Sequence, residues 1–381
     1  MEYSRRAIML SSPSRAFGSC QRYIQGPGEL KNLFEYGKQY GDRFFIFVDT
    51  GLYDMITAQL DAIEDKCGCS YTYYSWYGEC CWDNVNKLVE VVRASDCNVV
   101  VAIGGGKVLD TVKLVADGAD RARIIVPTSA SSDAPAADWA AVYDPSGVFI
   151  GAVPTNRNSE LVLVDSQIIA KAPARLLAAG MADALATWYE AMANERALTP
   201  NFIGRGYART LAGLAIAREC HDVLIRDGIK AYEAVKAKQL TPAVENVIEA
   251  NILLSGLGFM NSSVACAHGI NNGISAVAPG EKYMHGEKVA FGLIGQLVLE
   301  NAPLEEIYGV MTFLDALSLP VTMEQFEVEP TEENLEVIAD YMMNKSFHIY
   351  REPVIATADM VKSIILAANA LGHKFLAEKK G

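Results

Sequence analysis

NVVVAIGGGKVLD, residues 98–110, is the stretch on which the fold turns. Residues 98–103, apolar and mostly β-branched after Asn98, read as a strand buried on both faces, as strands of parallel sheets are. Gly104, Gly105 and Gly106 follow with no spacer, and a helical pattern over 108–117 starts at once. Strand, glycine turn and helix in this order leave bare backbone N–H groups at a helix N-terminus, where the partial positive charge suits a phosphate. Lys107 adds a full charge. The stretch is neither GxGxxG nor a P-loop, because no GK[ST] ending is present. A purely structural tight turn is the alternative reading.

The neighbouring segments extend the pattern. RFFIFVD (43–49) reads as a second buried strand, followed by a helix over 53–65. CSYTYYSW (69–76) is rich in β-formers, and 83–94 has helical spacing with Asp83 as a candidate N-cap. Another strand over 123–126 stops at Pro127, and LVLVD (161–165) is one more. Alternating strands and helices of this kind predict an open parallel α/β sheet. Between them, 140–153 predicts a β-hairpin around a type I turn at Asp144-Pro145-Ser146-Gly147. Beyond Pro173 the pattern becomes helical, over 175–195, 207–226, 242–257, 287–301 and 360–378. The expected organisation is an α/β domain over 1–170, its residues 1–22 a flexible leader, and an all-helical domain over 171–381. A ligand cleft between them is expected.

Composition narrows the function classes. A chain of 381 residues, 51% hydrophobic, is long enough for two cores. No apolar run approaches the roughly 20 residues of a membrane helix. A net charge of −13 offers no basic field for nucleic acid. The eight cysteines are scattered without a CxxC framework, which predicts reduced thiols in a reducing cytoplasm. Arg5 and Arg6 precede too short an apolar run for a secretory signal.

Three sets of residues can carry chemistry. Asp49, at a strand end, can accept from an adenosine ribose and repel a 2′-phosphate, or simply cap the next helix. PTSASSD (127–133) places small hydroxyl residues after a strand, a loop suited to close packing on a cofactor. Of only five histidines, His268 stands among small residues in SSVACAHGINNGIS (262–275) and His285 in YMHGE, while Asp183 lies in GMADALA. Two histidines and an aspartate would make a three-ligand site with a position open for substrate, as catalytic zinc requires, and Fe(II) takes the same ligands. Singly, each has a plainer reading as a core histidine or an ion-pair partner.

GGGKVLD (104–110) resembles the GGGKxxD signature of the iron-dependent alcohol dehydrogenase superfamily. YIQG (23–26), APARLLAAGMADALATWYE (172–190), IEANILLSGLGF (248–259) and HGEKVAFGLIGQL (285–297) resemble its zinc-dependent branch, the glycerol dehydrogenases, and the similarity runs from Tyr23 through almost the whole chain. The resemblance implies the dehydroquinate synthase-like fold, zinc (or Fe(II)) on Asp183, His268 and His285, and NAD on Asp49, Gly105, Gly106, Lys107, Asp110, Thr128, Ser131 and Tyr143. It also implies Asp133 and Phe259 on the substrate, Asp133 and His285 in catalysis, and a homo-oligomer, often an octamer. Asn271 stands where relatives carry a histidine near the nicotinamide and substrate. Ala137, Trp139 and FMNSSVACAH (259–268) depart from the family pattern too.

The implied reaction is NAD-dependent oxidation of glycerol or another 1,2-diol to the hydroxyketone, with the metal as Lewis acid on the substrate oxygen. Alternatives are a reductase of another hydroxyketone or a 2-oxo acid, a dehydroquinate synthase-like lyase, and a non-catalytic binding paralogue. The lyase would need a basic pocket for a phosphorylated acid, and the sequence shows no such cluster.

Overall fold

The computed structural model describes residues 14–145, 147, 149–204, 206–278 and 282–380. They fall into two compact units: Gly18–Leu176 with Ala234–Gly256, and Leu177–Glu233 with Leu257–Gly381 and the residues up to Phe17. The sequence expectation drew one line after residue 170; the observed division is discontinuous, because 234–256 joins the first unit and the N-terminal residues join the second.

The first unit holds a six-stranded sheet, in the order β1 (Tyr23–Gly26), β8 (Leu161–Asp165), β5 (Ala122–Pro127), β4 (Val99–Gly104), β2 (Arg43–Asp49), β3 (Ser70–Trp76). Every pairing in it is parallel. The expected hairpin forms a separate ribbon of β6 (Trp139–Tyr143) and β7 (Phe149–Pro154), and Gly147 N–H donates to Asp144 O at 3.0 Å across the turn. One sheet face buries Phe44, Ile46 and Val48 with Val99, Val101, Ile103, Ile124, Val126 and Leu163 in a single apolar cluster. All six residues of β4 are buried, as a strand covered on both faces requires. The helices here are α1 (Leu33–Gly37), α2 (Tyr53–Asp61), α3 (Trp82–Ala94), α4 (Gly106–Ala119) and α5 (Ser166–Lys171). α3 buries Val85, Leu88, Val89 and Val92, the predicted stripe, but it starts one residue before Asp83, which lies in its first turn and is not its cap.

Helices α6 (Ala174–Ala197), α7 (Leu211–Lys236), α8 (Pro242–Glu249), α9 (Ser255–Ser262), α10 (Cys266–Ser275), α11 (His285–Leu299), α12 (Leu304–Ala316), α13 (Glu332–Tyr341) and α14 (Ala358–Lys380) complete the chain. The single helix expected over 242–257 is α8 and α9 joined by a π-helical turn at Ala250–Leu254. The leader expected over 1–22 is corrected for 14–22; earlier residues lie outside those described. Ala208 N–H donates to Ser14 O at 2.9 Å, Asn201 Nδ2 donates to Ala16 O at 2.9 Å, and Gln21 N–H donates to Ser159 O at 3.0 Å. Cys20 is buried. Backbone pairing of this kind left no hydrophobic signal to read. All eight cysteines are free thiols. Among the described residues no single helix is long and apolar enough to cross a membrane.

In the second unit two glycines of α11 permit backbone-to-backbone packing. A Cβ on Gly286 would stand 1.9 Å from Ala179 O of α6, and one on Gly292 would stand 2.2 Å from Ala267 O of α10. Gly309 of α12 has nothing within 4 Å of that position. Gly292→Ala is therefore expected to lower stability by about 1–3 kcal/mol, the usual cost of overpacking. Gly309→Ala should raise it by roughly 0.5–1 kcal/mol, because alanine loses less entropy in a helix. Thermal unfolding of both variants tests the contrast, and a loss at Gly309 equal to that at Gly292 would refute it.

Candidate metal centre and nucleotide cleft

The second unit gathers three potential ligands from three helices. Asp183 lies mid-way along α6, His268 in the first turn of α10, and His285 opens α11. Their ligand atoms lie within 4.8 Å of one another, the one such cluster among the described residues. His268 Nε2 is 3.3 Å and His285 Nε2 3.2 Å from Asp183 Oδ1. Asp183 is 1% exposed, and neither of its oxygens has a well-formed hydrogen bond. A buried carboxylate so placed needs a cation to compensate it. Burial opposes its charge, but the imidazoles of His285 and His268 outweigh burial and hold its pKa below the usual range. One carboxylate oxygen and two imidazole nitrogens are a donor set for Zn²⁺ or Fe²⁺.

Surrounding groups aim these ligands. Glu190, seven residues after Asp183 and so on the same face of α6, is fully buried. Its Oε1 accepts from the N–H groups of Ala265 (2.7 Å) and His268 (3.0 Å), and its Oε2 lies 2.7 Å from His268 Nδ1. That contact keeps a proton on Nδ1 and leaves the Nε2 lone pair for a metal. Burial works against a charge on His268, yet Glu190 and Asp183 hold its pKa well above the imidazole range. Gln296 Oε1 accepts from Ala267 N–H and Glu352 Oε1 from Cys266 N–H, each at 3.0 Å. The first turn of α10 is thus capped by side chains remote in sequence. Glu287 Oε2 accepts from Met284 N–H at 2.8 Å and sets the start of α11 at His285.

The first unit carries a cleft of about 1200 Å³ along the carboxyl ends of its strands. Gly28 and Leu30 follow β1, Asp49 ends β2 and Gly51 follows it, Gly105 follows β4, Thr128, Ser129 and Ser131 follow β5, and Asp165 ends β8. The chain passes from β2 to β3 on one side and then to β4 on the other, so the order reverses between β2 and β4, where open α/β sheets bind ligands. A Cβ on Gly104 would meet Asp49 Cβ at 3.1 Å, whereas the Gly105 and Gly106 positions face open space. Gly105 caps α4 without a side chain, so the helix N-terminus is bare. These features fit a dinucleotide with its pyrophosphate at α4.

Comparison with known proteins agrees with this arrangement. The family model described as iron-containing alcohol dehydrogenase matches residues 20–166. A glycerol dehydrogenase of Escherichia coli O6:H1 is 37% identical, over 96% of this chain and 99% of that protein. The chain belongs to the iron-containing alcohol dehydrogenase family. A glycolaldehyde reductase of Halobacterium salinarum is 34% identical over 94% of this chain and 98% of its own. The solved structure of a probable glycerol dehydrogenase from Sinorhizobium meliloti superposes with a TM-score of 0.89 at 38% identity, covering 95% of this chain and 99% of that one.

In this alcohol dehydrogenase the residues singled out in the sequence divide. Asp49, Gly105, Thr128 and Ser131 line the cleft, and Gly106 opens α4. Asp49 also accepts from Gly51 N–H at 2.9 Å, so the capping and cleft-lining roles coexist. Three others are engaged away from the cleft walls. Lys107 is ion-paired with Glu79. Asp110 is buried, with Oδ1 3.0 Å from Lys113 Nζ and Oδ2 accepting from Ala141 N–H at 3.0 Å. Tyr143 packs its ring on Phe149 at 5.7 Å. Asp110 thus braces the hairpin through a buried ion pair that its spacing alone did not reveal. Asp133 Oδ2 accepts from Ser255 Oγ at 2.8 Å, and Phe259 packs edge-on to Phe202 at 6.3 Å. Asn271, expected at the substrate, is 2% exposed and sits 3.2 Å from His285 Nδ1.

Glu190 was missed in the sequence, although two acids seven apart in an alanine-rich helix were a usable signal. Glu190→Gln should weaken zinc binding by about 10–100-fold, because an amide cannot accept from both backbone and Nδ1–H. Zinc competition with a chelator measures this, and an unchanged dissociation constant would remove Glu190 from the site.

Proposed function

We propose that the protein oxidises glycerol or a related 1,2-diol to the hydroxyketone, and runs the reverse reduction, with NAD as hydride carrier and zinc as metal. The observation that carries this reading is the cluster of Asp183, His268 and His285, a three-ligand set that leaves coordination positions for substrate. When bound, the metal supplies Lewis acidity toward the substrate oxygen and NAD accepts the hydride. Asp183 provides the compensating negative charge and Glu190 holds His268 in the binding tautomer. The bare N-terminus of α4 receives the pyrophosphate. Asp49 accepts from the adenosine ribose and repels a 2′-phosphate, which favours NAD over NADP. Asp133, braced by Ser255, offers its carboxylate to a substrate hydroxyl. Two adjacent oxygens engage an open site better than one, which favours diols over simple alcohols. The eight free thiols support a cytoplasmic setting.

A second reading is reduction of a short hydroxyaldehyde. It is supported by the Halobacterium glycolaldehyde reductase, whose name differs while its similarity covers nearly the whole chain.

A panel of diols, hydroxyketones and hydroxyaldehydes, followed by NADH absorbance, separates the two. Glycerol and 1,2-diols should give the highest kcat/KM. Chelation should abolish turnover, zinc should restore it, and His268→Ala should lower kcat/KM about 10²-fold or more, since a Lewis acid contributes several kcal/mol. Full activity of metal-stripped His268→Ala would overturn the metal assignment. Asp49→Gly should reduce the preference for NAD; a wild-type preference for NADP would overturn that role.

A further inference from the structure

The group facing His285 Nδ1 has no part in the reading above. The partner of one imidazole nitrogen decides which nitrogen carries the proton and which keeps a lone pair for a metal. His268 has an acceptor in Glu190. His285 has the side-chain amide of Asn271, with Nδ2 3.2 Å from Nδ1. Asn271 Nδ2 also donates to Asn272 Oδ1 at 3.0 Å, and Asn272 Nδ2 donates to Ser346 Oγ at 3.1 Å. In this sense of the chain Asn271 donates to Nδ1, so the proton of His285 lies on Nε2. That tautomer directs an N–H toward Asp183 Oδ1, 3.2 Å away, and has no lone pair there for a metal.

A half-turn of both amides reverses every bond. Ser346 Oγ–H then donates to Asn272 Oδ1, and Asn272 Nδ2–H donates to Asn271 Oδ1. The same Oδ1 accepts from His285 Nδ1–H, and Nε2 presents its lone pair where Asp183 and His268 converge. A hydroxyl can donate or accept and an amide exchanges N–H for C=O on rotation, so the chain is consistent in both senses. Among heavy atoms only the amide oxygens and nitrogens change places, while the His285 proton moves from Nε2 to Nδ1 and the Ser346 hydroxyl turns from acceptor to donor. Asn271 is 2% exposed and its Oδ1 has no partner in the first sense; in the reversed sense that oxygen gains its donors and Nδ2 takes the partnerless position.

We propose that Asn271, backed by Asn272 and Ser346, is a positioning residue that sets the tautomer of His285, and that the amide pair reverses when the metal enters. The inference rests on the reading of Asp183, His268 and His285 as ligands. Two variants and one spectrum test it on the full chain. Asn271→Asp can only accept, so zinc should bind at least as tightly as in wild type. Asn271→Leu offers no acceptor, and its zinc affinity should fall about 10–100-fold. Chelator competition gives both constants, and circular dichroism reports folding. In wild type labelled with ¹⁵N-histidine, zinc should shift the His285 proton from Nε2 to Nδ1. Unchanged affinity in Asn271→Leu, equal losses in both variants, or no tautomer shift in zinc-loaded wild type would overturn the inference. If wild type binds zinc no better than His268→Ala, the ligand assignment itself fails and this inference falls with it. Zinc bound normally by wild type and Asn271→Leu alike would remove only the role of Asn271.

Discussion

In the helical unit the ionised Asp183 carboxylate sits in the middle of a 24-residue helix, 1% exposed, with no well-formed hydrogen bond to either oxygen. Burying a charge without a partner costs several kcal/mol, so the surrounding helices are arranged around its compensation. Two imidazoles approach it, and each must be brought by its own helix. The glycines of α11 make that approach feasible, because any side chain at 286 or 292 would collide with the backbone beside α6 or α10. The collision points, Ala179 and Ala267, are four residues from Asp183 and one from His268. Helix packing and ligand convergence are therefore one constraint.

A second layer holds the ligands in a usable protonation state. Glu190 is fully buried, and its two oxygens accept from two backbone N–H groups and one imidazole. Charge-assisted bonds of this kind are about twice as strong as neutral ones and replace the missing N-cap of α10. The same carboxylate thus starts a helix and orients a ligand. Glu352 and Gln296 complete the cap, which ties the position of His268 to segments far away in sequence.

The sheet unit solves a different problem. Its strand order reverses between β2 and β4, which leaves a crevice at their carboxyl ends where Asp49 and the glycine turn meet. Bracing comes from inside. Buried Lys113 is 3.0 Å from Asp110, and its Nζ donates to the carbonyls of Ala134 (2.5 Å) and Trp139 (2.9 Å). The signature acid Asp110 therefore supports the loop that carries Asp133 and does not line the cleft.

Local patterns in the sequence determined much of this. The apolar runs at 43–49, 98–103 and 161–165, the glycine turn and the stripe of α3 were legible because strand and helix periodicities and bare turns are properties of neighbouring residues. The small residues around Asp183, His268 and His285 made them candidates, and the family resemblance implied them as ligands residue by residue. Tertiary structure alone decided the rest. α10 begins at a run of small residues with no local capping side chain, so only carboxylates and an amide from distant segments could define its start. The pairing of 14–22 through backbone groups carries no side-chain signature. That Asp110 lies against a buried lysine and Asn271 against His285 depended on which way a helix face turned. Packing between distant segments sets that direction, and spacing along the chain does not encode it.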